Sequence, residues 1–178
     1  MTSNQLFPLA DSLRPSDIDA FVGQEHLTGE GRIIRRFLDE ERLSSIIFWG
    51  PPGIGKTTLS RLLVKRAAYP STEFSAAISK IAEIREVMKQ ATEQKKISQK
   101  PLVLFVDEIH HFNRHMQDAF LPYVERGDII LLGTTTENPA YKINRALLSR
   151  LKILELNPLS ANELERILEL ALGHIANK

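Results

Sequence analysis

The sequence predicts a doubly wound α/β fold, in which helices cover both faces of a five-stranded parallel sheet. Two observations lead to this prediction. Several short apolar runs are continuous rather than alternating, as buried parallel strands require. Segments with helical periodicity lie between these runs, which is typical of strands joined by crossover helices. The predicted strands are Ser45–Trp49, Leu102–Val106, Ile129–Leu132 and Ile153–Leu156, with Glu73–Ser75 as a weaker fifth candidate.

The helical segments are recognised by apolar residues that recur on one face. Three such faces consist of Ile33, Ile34, Phe37 and Leu38; of Leu59, Leu62, Leu63 and Ala67; and of Ile81, Ile84, Val87, Met88 and Ala91. Pro122 is expected to divide the stretch after Asn113 into two short helices, because proline suits a first helical turn and not an interior. Ser160 and Glu163 form a capping box that opens a final amphipathic helix. Residues 1–158 are therefore predicted to form one α/β domain, and residues 159–178 the start of a truncated helical lid.

Composition sets broad limits on function. With 178 residues, 43% of them hydrophobic and 25% charged, the chain has the composition of an ordinary globular domain. The net charge of +1 neither indicates nor excludes nucleic-acid binding. The absence of cysteine excludes disulfides, thiolate metal sites and thiol catalysis. The N-terminus has no signal-peptide pattern and the apolar runs are too short to span a bilayer, so the sequence predicts a cytoplasmic protein without membrane contact, near the nucleoid if the source is bacterial.

The stretch Gly50–Thr57 matches the phosphate-loop pattern G-x-x-x-x-G-K-[ST] at every position, between a predicted strand and a predicted helix. Its glycines allow backbone N–H groups to turn toward phosphate oxygens, and the helix adds its positive N-terminal end. Lys56 is expected to reach the β- and γ-phosphates, and the Thr57 hydroxyl to bind Mg²⁺. The predicted nucleotide-binding residues of this segment are Gly50, Pro51, Pro52, Gly53, Ile54, Gly55, Lys56, Thr57 and Thr58.

Two carboxylates, Asp107 and Glu108, follow the buried strand that begins at Leu102. Burying charge without a partner is costly, so adjacent acids at the end of an apolar strand require a function. Asp107 is predicted to support Mg²⁺, and Glu108 to act as the general base that polarises the attacking water. A small-molecule kinase would not need the second carboxylate, so the pair favours ATP hydrolysis.

Further polar groups follow the next predicted strand. Thr136 and Asn138 are both candidates to hold the attacking water, since the carboxyl ends of neighbouring parallel strands meet at one ligand crevice. Arg150 is a candidate arginine finger, although an arginine at a helix C-terminus is favourable in its own right. His110, His111 and His115 do not match a zinc-protease pattern, and the sequence favours a polar loop over a metal site there.

With these residues in place, the sequence resembles the AAA+ ATPases, and among them the replication-associated recombination protein A family, which includes the Werner-helicase-interacting ATPase. The resemblance extends from Pro8 to about Leu172. The stretches that carry it are Pro8-Leu9-Ala10, Leu13-Arg14-Pro15, Val22-Gly23-Gln24-Glu25-His26-Leu27, Trp49-Gly50-Pro51-Pro52-Gly53, Asp107-Glu108-Ile109-His110, Phe112-Asn113, Gln117-Asp118-Ala119-Phe120-Leu121-Pro122, Thr135-Thr136-Glu137-Asn138-Pro139 and Ala146-Leu147-Leu148-Ser149-Arg150. The chain departs from the family pattern at His111, where a basic residue is usual, and near Arg114–Met116.

The resemblance implies an adenine pocket formed by Leu9–Val22, including Arg14, Pro15 and Val22, and a trans-acting role for Arg150. It also implies a ring-like homo-oligomer that uses ATP and Mg²⁺ to act on forked or single-stranded DNA during replication-fork maintenance and recombination. The chain stops before the family's second-sensor arginine and tetramerisation region, so we expect a fragment with weak ATPase activity. The alternative is a nucleotide-gated assembly module with little turnover. The sequence does not identify the DNA structure or protein partner.

Overall fold

The structure, a computed structural model, describes residues 13–40, 42–67, 69–75 and 81–176. Five parallel strands form one sheet in the order β2-β3-β4-β1-β5. The strands are β1 (Ile46–Trp49), β2 (Ser71–Ser75), β3 (Leu102–Asp107), β4 (Ile129–Thr135) and β5 (Lys152–Glu155). The predicted fold class is therefore confirmed, including the weaker strand candidate, which is the edge strand β2.

Helices precede and follow the strands along the chain. They are α1 (Glu25–Thr28), α2 (Ile33–Asp39), α3 (Lys56–Ala67), α4 (Ile81–Ser98), α5 (Arg114–Glu125), α6 (Pro139–Lys142), α7 (Arg145–Leu148) and α8 (Ala161–Ala176). Short 3₁₀ turns occur at Ile18–Ala20 and Ile109–His111. Among the residues described here, no helix is both long and apolar enough to cross a membrane.

The central strands are buried on both faces, which explains their continuous apolar sequences. Every residue of β4 is buried, as are the first five residues of β3. On one face of the sheet, Ile84 and Met88 of α4 and Phe120 of α5 are fully buried against these strands. Burial of each such side chain contributes about 1.5–3 kcal/mol, so this packing fixes the strand ends that carry the site.

Helix α5 is continuous through Pro122, so the prediction of two short helices is wrong. Proline removes one helical hydrogen bond, the one that its N–H would donate to Asp118. Pro122 lies near the C-terminal end of α5, where the Arg126 N–H still donates to the Pro122 carbonyl at 3.2 Å. The packing of Phe120 before it, and of Tyr123 and Val124 after it, keeps the segment against the core.

Asp128, directly before β4, is a buried carboxylate with several donors. It accepts hydrogen bonds from Arg126 Nε at 2.8 Å, Thr92 Oγ1 at 3.0 Å and Lys95 Nζ at 3.4 Å. Burial by itself raises the pKa of Asp128, but the hydrogen bonds from Arg126, Thr92 and Lys95 outweigh it and hold the pKa below its ordinary value. The carboxylate thus joins α4 to the start of β4 in its ionised form.

The chain divides into two compact units. The larger one, residues 24–158, contains the sheet and α1 to α7. The described parts of the smaller one are residues 13–23 and 159–176, which include α8. The predicted capping box is formed there, since Ser160 N–H donates to Glu163 Oε2 at 2.6 Å and Glu163 N–H donates to Ser160 Oγ at 3.4 Å. The predicted domain division at residue 158 stays a prediction.

Candidate active site

The carboxyl ends of three neighbouring strands meet at one edge of the sheet. The register pairs Val106 of β3 with Gly133 of β4, and Trp49 of β1 with Thr135 of β4. The residues that follow these strands therefore lie side by side: the phosphate loop after β1, the acidic pair at the end of β3, and the threonines at the end of β4. This edge is where ligands bind in open α/β sheets.

The phosphate loop leads from β1 directly into α3, as the sequence predicts. Its first residue, Gly50, has φ 149°, and a Cβ there would lie 2.5 Å from the Leu156 carbonyl oxygen and 2.7 Å from Ile54 Cδ1. A side chain is thus excluded at Gly50. Gly53 and Gly55 also have positive φ values, 79° and 98°, which bend the loop before the first turn of α3. Thr58 lies within that first turn.

Lys56 is the buried cation of this loop, with 6% of its surface exposed. Its ammonium group donates to the Gly50 and Pro51 carbonyl oxygens, both at 2.8 Å. Burial lowers the pKa of Lys56, and the negative charges of Glu108 and Asp107 oppose that shift. An ammonium group has three N–H donors, so a third one remains for an anionic ligand at the mouth of the loop.

Thr57 and Asp107 provide the pair of oxygen atoms suited to a magnesium ion. Thr57 Oγ1 donates to Asp107 Oδ1 at 3.1 Å, although the two residues are fifty positions apart in the chain. Adjacent oxygen ligands of Mg²⁺ lie about 3 Å apart, so the spacing of these two oxygens would suit the ion once the Thr57 hydroxyl turns its proton away from Asp107. Mg²⁺ is commonly held by one or two protein oxygens together with phosphates and water. In the described part of the chain, no cluster of three or more His, Asp or Glu side chains offers another metal site.

Thr134 contacts both acids of this site, and it was not among the site residues predicted from the sequence. Its buried hydroxyl donates to Asp107 Oδ1 at 2.6 Å and accepts the Glu108 N–H at 3.0 Å. Glu108 has φ 50° and ψ 54°, a left-handed conformation that is uncommon outside glycine. One hydroxyl therefore orients the carboxylate that is predicted to bind the metal and supports the left-handed backbone of the predicted base. The signal in the sequence was the threonine run that continues a buried strand.

Thr136 contacts Glu108, whereas Asn138 does not join this group. The Thr136 N–H and Oγ1 donate to Glu108 Oε2 at 3.1 and 3.3 Å. Asn138 is exposed, and its side chain accepts the Ala140 N–H at 2.9 Å as the N-cap of α6. Of the two candidates that the sequence left open, only Thr136 is within reach of the predicted base.

Arg150 lies at the opposite edge of the sheet from the phosphate loop, because it precedes β5 by two residues whereas the loop follows β1. Its side chain is 51% exposed, and Nη2 lies 3.1 Å from Glu125 Oε1. Its position therefore excludes contact with a nucleotide in the loop of the same chain. The predicted adenine-pocket residues Arg14, Pro15 and Val22 are partly buried within the smaller unit, while the predicted residues before Leu13 lie outside the described residues. The adenine pocket stays a prediction.

A phosphate loop that opens a helix after β1, and an acidic pair at the end of β3 on the far side of β4, define a P-loop nucleotide-binding domain. Residues 46–159 match the family model described as "ATPase family associated with various cellular activities (AAA)". The chain belongs to this AAA family.

Known proteins are similar to nearly the whole chain. "Replication-associated recombination protein A" of Haemophilus influenzae is 43% identical over 169 residues, which are 95% of this chain and 38% of the relative. "ATPase WRNIP1" of Dictyostelium discoideum is 39% identical over 165 residues, which are 93% of this chain and 19% of that protein. The chain thus spans well under half the length of either relative. The structure of the Thermotoga maritima RuvB Holliday junction branch migration motor superposes with a TM-score of 0.71 at 26% identity, and the match covers 92% of this chain and 55% of RuvB.

Proposed function

We propose that this chain binds ATP and hydrolyses it to ADP and phosphate with Mg²⁺, through the residues at the carboxyl edge of the sheet. The observation that carries the proposal is the 3.1 Å contact between Thr57 Oγ1 and Asp107 Oδ1 at the mouth of the phosphate loop. This contact joins the first turn of α3, which follows the phosphate loop, to the acidic end of β3. Membership of the AAA ATPase family supports ATP as the nucleotide.

Each residue has a distinct role in the proposed reaction. The backbone N–H groups of Gly50–Thr57 and the Lys56 ammonium bind the phosphates, and the Lys56 N–H groups that now donate to loop carbonyls become available to the ligand. Bound Mg²⁺ supplies positive charge that stabilises the phosphoryl group during transfer. Thr57 and Asp107 hold the ion, and Glu108 takes a proton from the attacking water. Thr136 keeps the Glu108 carboxylate in place through Oε2.

Arg150 completes the site of a neighbouring molecule in this proposal. Its guanidinium lies at the edge of the sheet remote from its own phosphate loop, on a half-exposed surface next to Glu125. An arginine supplied in trans typically accelerates phosphoryl transfer about 10³–10⁵-fold. Turnover therefore depends on assembly into an oligomer in which Arg150 of one chain reaches the nucleotide of the next.

The relatives supply the proposed context. The name of the Haemophilus influenzae relative refers to replication-associated recombination, and that of the Dictyostelium discoideum relative identifies an ATPase. RuvB is named as a Holliday junction branch migration motor. We therefore infer that the protein acts on forked or single-stranded DNA in the cytoplasm, with ATP hydrolysis driving replication-fork maintenance. The alternative is a nucleotide-gated assembly module. The Glu108 carboxylate favours hydrolysis, since a pure switch needs no general base.

Single-turnover hydrolysis, with protein in excess and in a chain extended to its relatives' length so that Arg150 can act in trans, tests the proposal directly. We expect ATP binding by calorimetry in the wild type and in Glu108→Gln, and its loss in Lys56→Ala. Glu108→Gln should lower the hydrolysis rate by about 10²-fold or more, because glutamine keeps the shape of the side chain but cannot accept the proton. Equal ATP affinity in wild type and Lys56→Ala would reject the phosphate loop assignment. Adding forked DNA to a chain extended to its relatives' length distinguishes a motor from a switch, because only the motor should hydrolyse ATP faster.

A further inference from the structure

The imidazole of His110 is a buried titratable group beside the proposed base, and the reaction as described does not use it. Its side chain is 7% exposed. Nδ1 lies 3.1 Å from Glu108 Oε2 and 3.0 Å from Thr135 Oγ1, with which it hydrogen-bonds. We propose that His110 is a positioning residue, which holds the Glu108 carboxylate in the orientation needed for hydrolysis. This inference rests on the proposed role of Glu108 as the base.

The contacts of the imidazole assign the proton to Nδ1. Glu108 Oε2 is a carboxylate oxygen that can only accept hydrogen bonds, so an unprotonated Nδ1 would place two lone pairs 3.1 Å apart. The Thr135 hydroxyl donates to the Glu137 carbonyl oxygen at 3.1 Å, which leaves it as an acceptor toward His110. A neutral imidazole has one N–H. With that N–H at Nδ1, it donates to Thr135 Oγ1, and no lone pair of Nδ1 faces Glu108 Oε2.

Charged and titratable groups surround the ring on several sides. Nε2 lies 3.6 Å from Glu137 Oε1, and Glu137 Oε2 is paired with Lys142 Nζ at 2.8 Å. The ring of His111 lies against that of His110 with centroids 4.2 Å apart. Burial lowers the pKa of His110 and His111 lowers it further, whereas Glu108 and then Glu137 raise it; Lys142 lowers it as well. The balance holds the pKa of His110 below its ordinary value and favours the neutral ring.

His110 completes a set of contacts that all fall on one oxygen of Glu108. Thr136 donates to Oε2 from its N–H and its hydroxyl, and His110 approaches the same atom. In the described part of the chain, Oε1 has no hydrogen-bond partner. Oε1 is thus the oxygen that accepts the proton from water. Without His110, Oε2 loses one of its three contacts and the carboxylate is held by Thr136 alone.

Two substitutions separate this role from simple packing. His110→Leu removes the ring nitrogens, whereas His110→Asn keeps an N–H donor at the position of Nδ1. His115→Asn, on the exposed start of α5, is the matched control. In single-turnover hydrolysis we expect His110→Leu to lower the rate on the order of 10²-fold, as a displaced catalytic group does, with ATP affinity unchanged. His110→Asn should recover most of the rate, and His115→Asn should behave as the wild type.

A wild-type rate in His110→Leu, together with a strong loss in Glu108→Gln, would overturn the role of His110 alone. If Glu108→Gln keeps the wild-type rate, the base assignment and this inference both fail. A second measurement needs neither nucleotide nor variants: long-range ¹⁵N–¹H NMR of the nucleotide-free protein reports which ring nitrogen of His110 carries the proton. We expect the Nδ1–H form. An Nε2–H imidazole with a bare Nδ1 would overturn the proposal even if His110→Leu does not fold.

Discussion

Replacing Thr134 with valine removes one hydroxyl from the centre of the site and little else. Valine has nearly the shape of threonine, and position 134 is fully buried, so the change leaves packing intact. It deletes two hydrogen bonds, from the hydroxyl to Asp107 Oδ1 at 2.6 Å and from the Glu108 N–H at 3.0 Å. We therefore expect Thr134→Val to destabilise the protein and to weaken its response to Mg²⁺.

The magnitude follows from the two bonds. A hydrogen bond to a charged group contributes about 1.5–3 kcal/mol and a neutral one about 0.5–1.5 kcal/mol to the free energy of unfolding. Asp107 is only partly buried, so water replaces part of the first contribution. The net loss should be about 2 kcal/mol, which corresponds to a decrease in Tm of about 4–8 °C for a domain of this size. Residues that orient a metal ligand typically change metal affinity about 10–100-fold when they are lost.

Thermal unfolding tests the expected loss of stability, and Mg²⁺ titrations of ATP binding test the expected weaker response to Mg²⁺. Thr134→Ser is the control, because it keeps the hydroxyl and removes only a methyl group, at a cost of about 1 kcal/mol. The serine variant should therefore bind ATP at the wild-type Mg²⁺ concentration, and the valine variant should need more. If Thr134→Val unfolds at the wild-type Tm and needs no more Mg²⁺, the hydroxyl does not orient Asp107 and the reasoning is wrong.

Four further outcomes are expected. Lys56→Ala should lose ATP binding in calorimetry while its circular dichroism spectrum stays that of the wild type. Gly50→Ala should lower Tm by several degrees and weaken ATP binding, because the new Cβ would lie 2.5 Å from the Leu156 carbonyl oxygen. The 178-residue chain should hydrolyse ATP very slowly, and Arg150→Ala in a longer, assembling chain should abolish turnover without weakening ATP binding; brisk hydrolysis that is independent of protein concentration would contradict this. The pKa of Asp128 is lowered in the folded state, so its stabilising contribution is present above the ordinary carboxyl value near pH 4 and is lost as pH falls below it. Asp128→Asn should therefore make the free energy of unfolding less sensitive to acid, as measured by denaturant titrations between about pH 4 and pH 2.

The fold and the main polar groups of the site could be predicted because their signals are local. A continuous apolar run indicates a buried parallel strand wherever its partners lie, and the phosphate loop specifies its own strand–loop–helix context. Asp107 and Glu108 end one such run directly. Their proximity to Thr57 follows once β1 and β3 belong to one parallel sheet, here with β4 between them, since the carboxyl ends of parallel strands share one edge.

The threonine that reaches Asp107 and Glu108 from the end of β4 could not be predicted, because its identity depends on the register between β3 and β4. Which threonine after Leu132 reaches the acids is decided by the pairing of Val106 with Gly133, which places Thr134 beside Asp107. Thr136 is the first residue after β4, and its N–H and hydroxyl reach Glu108 Oε2. Thr135 lies between them and contacts His110 instead. A shift of one residue would exchange these roles, and no local pattern fixes it.

The geometry of the parallel sheet also separates the phosphate loop from Arg150, the residue proposed to act in trans. Strands rise about 3.3 Å per residue, so the three steps along the four residues of β5 place its two ends about 10 Å apart. The phosphate loop lies at the carboxyl edge, and Arg150 lies before the amino edge, where Glu125 just ahead of β4 holds it at 3.1 Å. A single chain therefore carries the two parts of the proposed reaction at opposite edges of the sheet. When the amino edge of one copy faces the carboxyl edge of another, Arg150 of the first copy lies next to the phosphate loop of the second. The neighbour's phosphates must then compete with Glu125 for the guanidinium. This head-to-tail arrangement is heterologous, and repeating it generates a closed ring or an open filament rather than a symmetric dimer.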